Sequence, residues 1–93
     1  IFESYCQACH QPEGEGVLGV YPPLAGNPVV TSAARPLIRI LMNGRGGMPA
    51  FAHQLDDEQL AEVLSYIRTS WSNDAALVGP ELVGSMERPG RGH

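Results

Sequence analysis

Residues 6–10 of the chain, Cys-Gln-Ala-Cys-His, place two thiols and an imidazole within a single short segment. Three chemistries use such a group. A dithiol can cycle through a disulfide, a zinc ion can be held by thiolates and imidazoles, and a c-type haem can be attached through two cysteines beside a histidine. The remainder of the sequence has to decide among these three kinds of site.

The surroundings of Cys6 and Cys9 favour the haem. A thioredoxin-like dithiol is expected beside a βαβ pattern, and the chain lacks the alternation that predicts strands. A structural zinc site needs four ligands, whereas the chain has two cysteines, and the spacing of His53 and His93 matches no usual zinc pattern. On a helix, residues three apart share one face, so both sulfurs can reach one haem edge, and the adjacent His10 can bind the iron.

A haem with two protein ligands needs a second donor besides His10. We predict Met48, because it lies in the sequence Gly-Arg-Gly-Gly-Met-Pro, residues 44–49, where glycines let the backbone approach a flat ring. Met42 is expected instead to pack in the apolar core. His53 is the alternative donor, and an open position is a third possibility. Two further candidates lie near the C-terminus: Met86 and His93.

Three helices are predicted to position these groups, over residues 1–9, 31–43 and 56–71. Thr31 or Ser32 is expected to cap the second helix, and Asn43-Gly44 is expected to end it. The loops between the helices, over residues 11–30 and 44–54, are long for so small a chain. Loops of that length indicate that they wrap something, such as a cofactor.

The helix over residues 56–71 has the strongest local signals. Asp56 and Gln59 have the spacing of a capping box at its start. Apolar residues then recur at the spacing of one buried face: Leu60, Val63, Leu64, Ile67 and Trp71. The pattern stops at Ser72. We therefore assign residues 1–72 to the domain and residues 73–93 to a Gly/Pro-rich C-terminal tail, either mobile or laid along another surface.

The composition argues against several classes of protein. The chain of 93 residues has a net charge of −4, with six arginines and no lysine, so it lacks the basic stripe of a nucleic-acid binder. It has no apolar run near the ~20 residues that a membrane-spanning helix needs. Because Ile1 opens on an apolar stretch without a capping residue, we expect that upstream residues were removed by processing or truncation.

Four segments together resemble the class I c-type cytochromes of bacteria: CQACH, YPPLAG, MPAF and LDDEQLAEVLSYI. They cover about residues 1–72. The combination is similar to the cytochrome subunits and domains that accompany bacterial periplasmic dehydrogenases, such as quinoprotein alcohol dehydrogenases. The resemblance implies an all-α fold with three main helices, whose long loops wrap one covalently bound haem c.

The resemblance also implies roles for individual residues. Four of them would hold the haem and its iron: Cys6 and Cys9 as thioether attachments, and His10 and Met48 as axial ligands. In the family's Pro-x-Leu-x-Gly pattern, here residues 22–26, the carbonyl of Pro22 accepts a hydrogen bond from His10, and Leu24 packs on the haem. The docking lysines of mitochondrial cytochrome c are absent, so that mode of partner binding does not carry over.

The function expected from this resemblance is one-electron transfer rather than catalysis. The protein would pass electrons from a periplasmic dehydrogenase to a terminal oxidase or reductase, and it would lie in the periplasm because haem c is attached there in bacteria. One alternative is an electron-transfer subunit or domain integral to a larger oxidoreductase. Another is a haem enzyme or gas sensor with a labile distal ligand. A nucleic-acid partner and a membrane span are not expected.

Overall fold

The structure is a computed structural model of the chain. It describes residues 1–11, 13–17, 21, 23–46 and 48–86, without the side chains of Glu3, Ala8 and Cys9. Within these residues there are six helices and no strand. The helices are α1 (Phe2–Tyr5), α2 (Gln7–His10), α3 (Pro28–Thr31), α4 (Ala34–Asn43), α5 (Asp57–Thr69) and α6 (Pro80–Gly84). The predicted all-α class is therefore confirmed, and α5 is the central element, contacting α3, α4 and α6.

Helix α5 begins as its sequence predicts. The Asp56 side chain accepts a hydrogen bond from the Gln59 N–H (2.8 Å), and the Gln59 side chain accepts one from the Asp56 N–H (2.9 Å). This reciprocal pair satisfies two donors that a helix start leaves without intrahelical partners. The helix ends at Thr69, two residues earlier than predicted, because Trp71 and Ser72 adopt positive φ angles of 52° and 69°.

Helix α4 starts later than the sequence suggests. Thr31 belongs to the separate turn α3, whose N-cap is Asn27, with a side chain that accepts from the Val29 N–H at 2.9 Å. The N-cap of α4 is Ala33, which has no side chain able to accept a bond. The prediction of a Thr31 or Ser32 cap was therefore wrong. The predicted end of α4 is confirmed: Asn43 is the last helical residue, and Gly44 follows it with a φ of 78°.

The described part of the predicted tail lies along α5. Val78 and Ser65 are joined by two hydrogen bonds, from the Ser65 hydroxyl to the Val78 carbonyl (3.0 Å) and from the Val78 N–H to the Ser65 oxygen (2.9 Å). Val83 of α6 and Met86 are buried in the core. Residues 73–86 therefore pack against α5, and part of this segment lies in the core. A domain boundary at residue 72 stays a prediction.

The core is formed mainly by the buried faces of α4 and α5, and Phe2 of α1 belongs to it. Its largest fully buried side chains are Val30, Ile38, Met42, Leu60, Val63, Leu64 and Val83. The buried Arg68 donates from Nε to the Ala76 carbonyl (2.9 Å), and its Nη1 donates to the carbonyls of Val30 (3.1 Å) and Ser32 (2.9 Å). No described helix is long and apolar enough to cross a membrane.

Candidate functional site

The segment with the two cysteines forms one helical turn. The His10 N–H donates to the Cys6 carbonyl (2.9 Å), and the Gln11 N–H donates to the Gln7 carbonyl (2.8 Å). Cys6 itself separates α1 from α2 and packs, half-buried, against the core. Cys9 occupies the same turn, and its side chain lies outside the described residues. The backbone therefore has the i, i+3 relation that places two side chains on one face.

His10 is the last residue of α2, is half-buried, and is followed at once by a change of chain direction. Gln11 has φ of 68° and ψ of 158°, a conformation that residues other than glycine seldom adopt. The Gly16 N–H then donates to the His10 carbonyl at 3.0 Å. The backbone around His10 is thereby held both by its own helical turn and by the first loop.

The first loop returns to this region through Leu24. The N–H groups of Leu24 (2.7 Å) and Ala25 (3.0 Å) both donate to the Gly14 carbonyl. The Leu24 side chain is half-buried and packs against the core. Pro22, the other residue predicted to support the haem here, lies outside the described residues. Gly14, which accepts these two bonds, is two residues before Gly16, whose N–H donates to the carbonyl of His10. The Leu24 backbone is therefore attached close to the point where the loop contacts His10.

The second loop presents Met48 at the end of a tight turn. Arg45 and Met48 exchange two backbone hydrogen bonds (3.2 and 2.9 Å), and the Met48 side chain packs half-buried against the core. The Phe51 N–H donates to the Leu41 carbonyl at 2.8 Å, which anchors the loop to α4. The ring of Phe51 meets the ring of Tyr5 edge-on, with centroids 5.8 Å apart. That contact joins the Met48 loop to the residue before Cys6.

The other candidate donors are placed differently. Met42 is 1% exposed within α4, as its predicted core role requires, and Met86 is also buried in the core. His53 is exposed in the turn that precedes α5. His93 lies outside the described residues. Of the methionines, Met48 alone combines a loop position with partial exposure.

The margin of the core suits an apolar ring with an iron at its centre. Cys6, Leu24 and Met48 are each half-buried against the same core cluster, so each retains area that another group can cover. The donor types are also those of a haem: thiols for attachment, and an imidazole and a thioether for iron. Large apolar side chains on the same segments are left exposed: Tyr5, Val17 and Tyr21. The residues present therefore fit a haem c.

Comparison with known proteins gives the family of the chain. Residues 1–67 match the family described as cytochrome c oxidase, cbb3-type, subunit III. Cytochrome c-552 of Thermus thermophilus is 36% identical over 90 residues, covering 80% of this chain and 68% of that protein. Cytochrome c6 of the diatom Phaeodactylum tricornutum has a similar structure, with a TM-score of 0.60 and 29% identity, covering 75% of this chain and 85% of the other.

A third relative is much longer than this chain. The cytochrome c subunit of the quinone alcohol dehydrogenase of Gluconacetobacter polyoxogenes is 38% identical over 82 residues. The match covers 75% of this chain and 18% of that subunit, so the chain spans about a fifth of that relative. The chain is therefore similar to one portion of a larger cytochrome c subunit.

The chain belongs to this family of c-type cytochrome domains. The class I cytochrome c fold predicted from the sequence is confirmed, and so is a covalently bound haem c as its cofactor. Membership of this family gives the chain the role of an electron carrier.

Proposed function

We propose that Cys6 and Cys9 attach the haem and that His10 and Met48 are its two axial ligands, with Pro22 and Leu24 supporting it. One observation carries the proposal, namely that the segment with Cys6, Cys9 and His10 contacts both of the loops that contain the other residues. Gly16 donates to the His10 carbonyl and Leu24 donates to the Gly14 carbonyl, which joins the first two segments. The Tyr5–Phe51 ring contact joins the third.

The chain's residues would restrict the site to electron transfer. When bound, the haem supplies a one-electron Fe(III)/Fe(II) couple. With His10 and Met48 at both axial positions, no position on the iron is left for a substrate. The thioether of Met48 favours the reduced state and raises the potential relative to a second histidine. Leu24 and the core margin would exclude water, which shifts the potential in the same direction.

We propose a periplasmic dehydrogenase as electron donor and a terminal oxidase or reductase as acceptor. Support comes from the relatives, which include cytochrome c subunits of quinone alcohol dehydrogenase and gluconate 2-dehydrogenase. The periplasm is the matching compartment. An electron-transfer domain within a larger oxidoreductase is the second candidate, since the chain spans only 18% of the alcohol dehydrogenase subunit. Purification after cross-linking separates the two: a stable dehydrogenase complex supports the domain, and a separate cytochrome supports the shuttle.

The ligand assignment is tested by Met48→Ala. We expect the variant to lose the weak red absorption band of a ferric haem with a thioether ligand. Its reduced form should bind carbon monoxide rapidly at neutral pH, because an axial position has opened. Met42→Leu is the matched control, since it replaces a buried core methionine and should keep the band. Rapid carbon monoxide binding by the unaltered protein, without denaturant, would refute Met48 ligation and favour the haem enzyme or gas sensor.

The alternative ligand is tested separately by His53→Gln. His53 is exposed, and the substitution keeps a polar side chain of similar length, so stability should change little. We expect an unchanged absorption spectrum and potential. Loss of the low-spin spectrum in this variant, with Met48→Ala unaffected, would assign the second axial position to His53.

A further inference from the structure

The chain turns sharply after α5 and delivers Asn73 to the first loop. Trp71 and Ser72 have positive φ angles of 52° and 69°, which are unfavourable for side chains other than glycine. The turn is closed by the Asn73 N–H, which donates to the Ser70 carbonyl at 2.8 Å. Two adjacent residues with unfavourable backbone angles persist only where their surroundings stabilise them, so the contacts of this turn must hold it in place.

The Asn73 carboxamide lies between the end of α5 and the loop with Leu24. Its Oδ1 accepts from the Gly26 N–H at 2.8 Å, and its Nδ2 donates to the carbonyls of Leu24 (3.1 Å) and Ile67 (2.8 Å). The side chain is buried, with 7% of its surface exposed. One residue therefore binds both sides of the Leu24–Gly26 bend and fixes them to the helix.

The three partners leave one orientation for the amide. Gly26 offers a donor, so it must face the oxygen, whereas Leu24 and Ile67 offer carbonyls, so they must face the NH₂ group. A flipped amide would bring donors against a donor and an acceptor against a carbonyl. Both donors and the acceptor of the side chain are thus used. Aspartate or a hydrophobic residue cannot reproduce the set.

Trp71 supports the same loop from beside Asn73. Its ring packs against Phe2 (centroids 5.1 Å apart) and Tyr66 (5.7 Å). A Cβ added to Gly14 would lie 2.6 Å from a Trp71 ring carbon, so the ring and the loop backbone are in close contact. The Gly14 carbonyl in turn accepts the N–H groups of Leu24 and Ala25. The turn after α5 therefore fixes the Leu24 segment at both of its attachments.

We propose that Asn73 is a positioning residue for the haem, acting through the Leu24–Gly26 bend. The inference rests on the proposed function, in which Leu24 packs on the haem. Releasing the bend would admit water beside the haem. It would also loosen the nearby Pro22, whose carbonyl is proposed to orient His10. Since water favours the more highly charged ferric state, the reduction potential should fall. The segment beyond residue 72 is then part of the electron-transfer apparatus.

The test compares Asn73→Ala with Arg68→Lys in the haem-loaded protein. Arg68 is also buried at the end of α5 and also binds distant carbonyls, but those belong to Val30, Ser32 and Ala76. Lysine keeps the charge and disrupts the fork of hydrogen bonds. Both variants should lose stability. Measurements are made at a temperature where both are fully folded, and Asn73→Ser, which retains a donor and an acceptor, serves if alanine does not fold.

We expect Asn73→Ala to lower the equilibrium constant for reduction several-fold, where about tenfold corresponds to about 59 mV for one electron. Hydrogen exchange at the Gly26 N–H should accelerate in the same variant, because its acceptor is removed. Arg68→Lys should change neither quantity. An unchanged potential in Asn73→Ala, or an equal fall in Arg68→Lys, overturns the proposal.

Failure of the two proposals can be told apart. If the unaltered protein lacks the red band of a thioether-ligated ferric haem, the assignment of Met48 fails. The comparison of Asn73→Ala with Arg68→Lys is still decided, because it uses the potential and the exchange rate and does not depend on that band. If the band is present and the potentials of both variants equal that of the unaltered protein, the role of Asn73 alone is refuted.

Discussion

Gly44 ends α4 directly before the loop that contains Met48, and its replacement by alanine should displace that loop. The residue has φ of 78° and ψ of 173°, which are nearly restricted to glycine. A Cβ at this position would lie 2.5 Å from the Met48 carbonyl oxygen and 3.1 Å from both the Ala50 nitrogen and the Pro49 carbonyl carbon. All three atoms belong to the backbone, so no side chain can move aside to relieve the contact.

The size of the displacement follows from these contacts. Ordinary van der Waals contact begins at about 3.4 Å, so the Met48 oxygen must retreat by about 0.9 Å from 2.5 Å. Functional groups are generally held to about 0.5 Å of their working geometry, so a shift of this size should weaken the proposed bond between Met48 and the iron. The unfavourable backbone and the crowding together should lower the free energy of unfolding by about 2–4 kcal/mol.

Gly46→Ala is a matched control in the same loop. Gly46 also has a positive φ, 57°, but a Cβ there would meet no atom of the described residues within 4 Å. The control should therefore lose about 1–2 kcal/mol of stability from the backbone alone. The red absorption band and carbon monoxide binding report the proposed bond between Met48 and the iron, and thermal unfolding reports stability. If Gly44→Ala keeps the band as fully as Gly46→Ala does, the reasoning from the close contact is wrong.

Two further substitution pairs test the packing around the site. Leu64→Ala removes a side chain with no exposed surface and should lower the free energy of unfolding in urea by about 2–5 kcal/mol. Leu77→Ala is the control: Leu77 is 74% exposed, so this variant should change the free energy of unfolding by less than about 0.5 kcal/mol. Equal losses in the two variants would mean that Leu64 is not in the core. Gly14→Ala forces a Cβ to 2.6 Å from the Trp71 ring, so it should shift the tryptophan fluorescence and lower stability. Gly26→Ala is the control, because Gly26 also has a positive φ but a Cβ there would meet no described atom within 4 Å, so the fluorescence should stay unchanged. Identical fluorescence spectra of the two variants would contradict the contact between Gly14 and Trp71.

Local signals in the sequence were enough to predict the elements that depend on neighbouring residues. The capping box of Asp56 and Gln59 forms because its two partners are three residues apart on one turn. Gly44 ends α4 because the conformation required there is unfavourable for other residues. The spacing of Cys6, Cys9 and His10 fits a single helical turn, which the hydrogen bond from the His10 N–H to the Cys6 carbonyl closes. The resemblance to the family, which implied the cofactor, rested on four short segments: CQACH, YPPLAG, MPAF and LDDEQLAEVLSYI.

Two predicted helix boundaries were wrong, the start of α4 and the end of α5, and the reasons differ. Thr31 and Ser32 are suitable caps by residue type, but Asn27 and Pro28 start a helical turn earlier and include Thr31 within it. Helix α5 stops before Trp71 because that residue adopts φ of 52° in a turn. The helical spacing of the apolar face alone does not reveal such a turn.

The sequence by itself determined the class of fold, the cofactor motif and the residues expected around the haem. The tertiary structure decided which distant segments hold that site together. Asn73 binds Leu24 and Gly26 across separations of 49 and 47 residues, and Arg68 binds Val30 across 38. No periodicity or motif in the sequence predicts such a pair. A buried amide or guanidinium binds the backbone groups that the fold brings near it and that have no other hydrogen-bond partner.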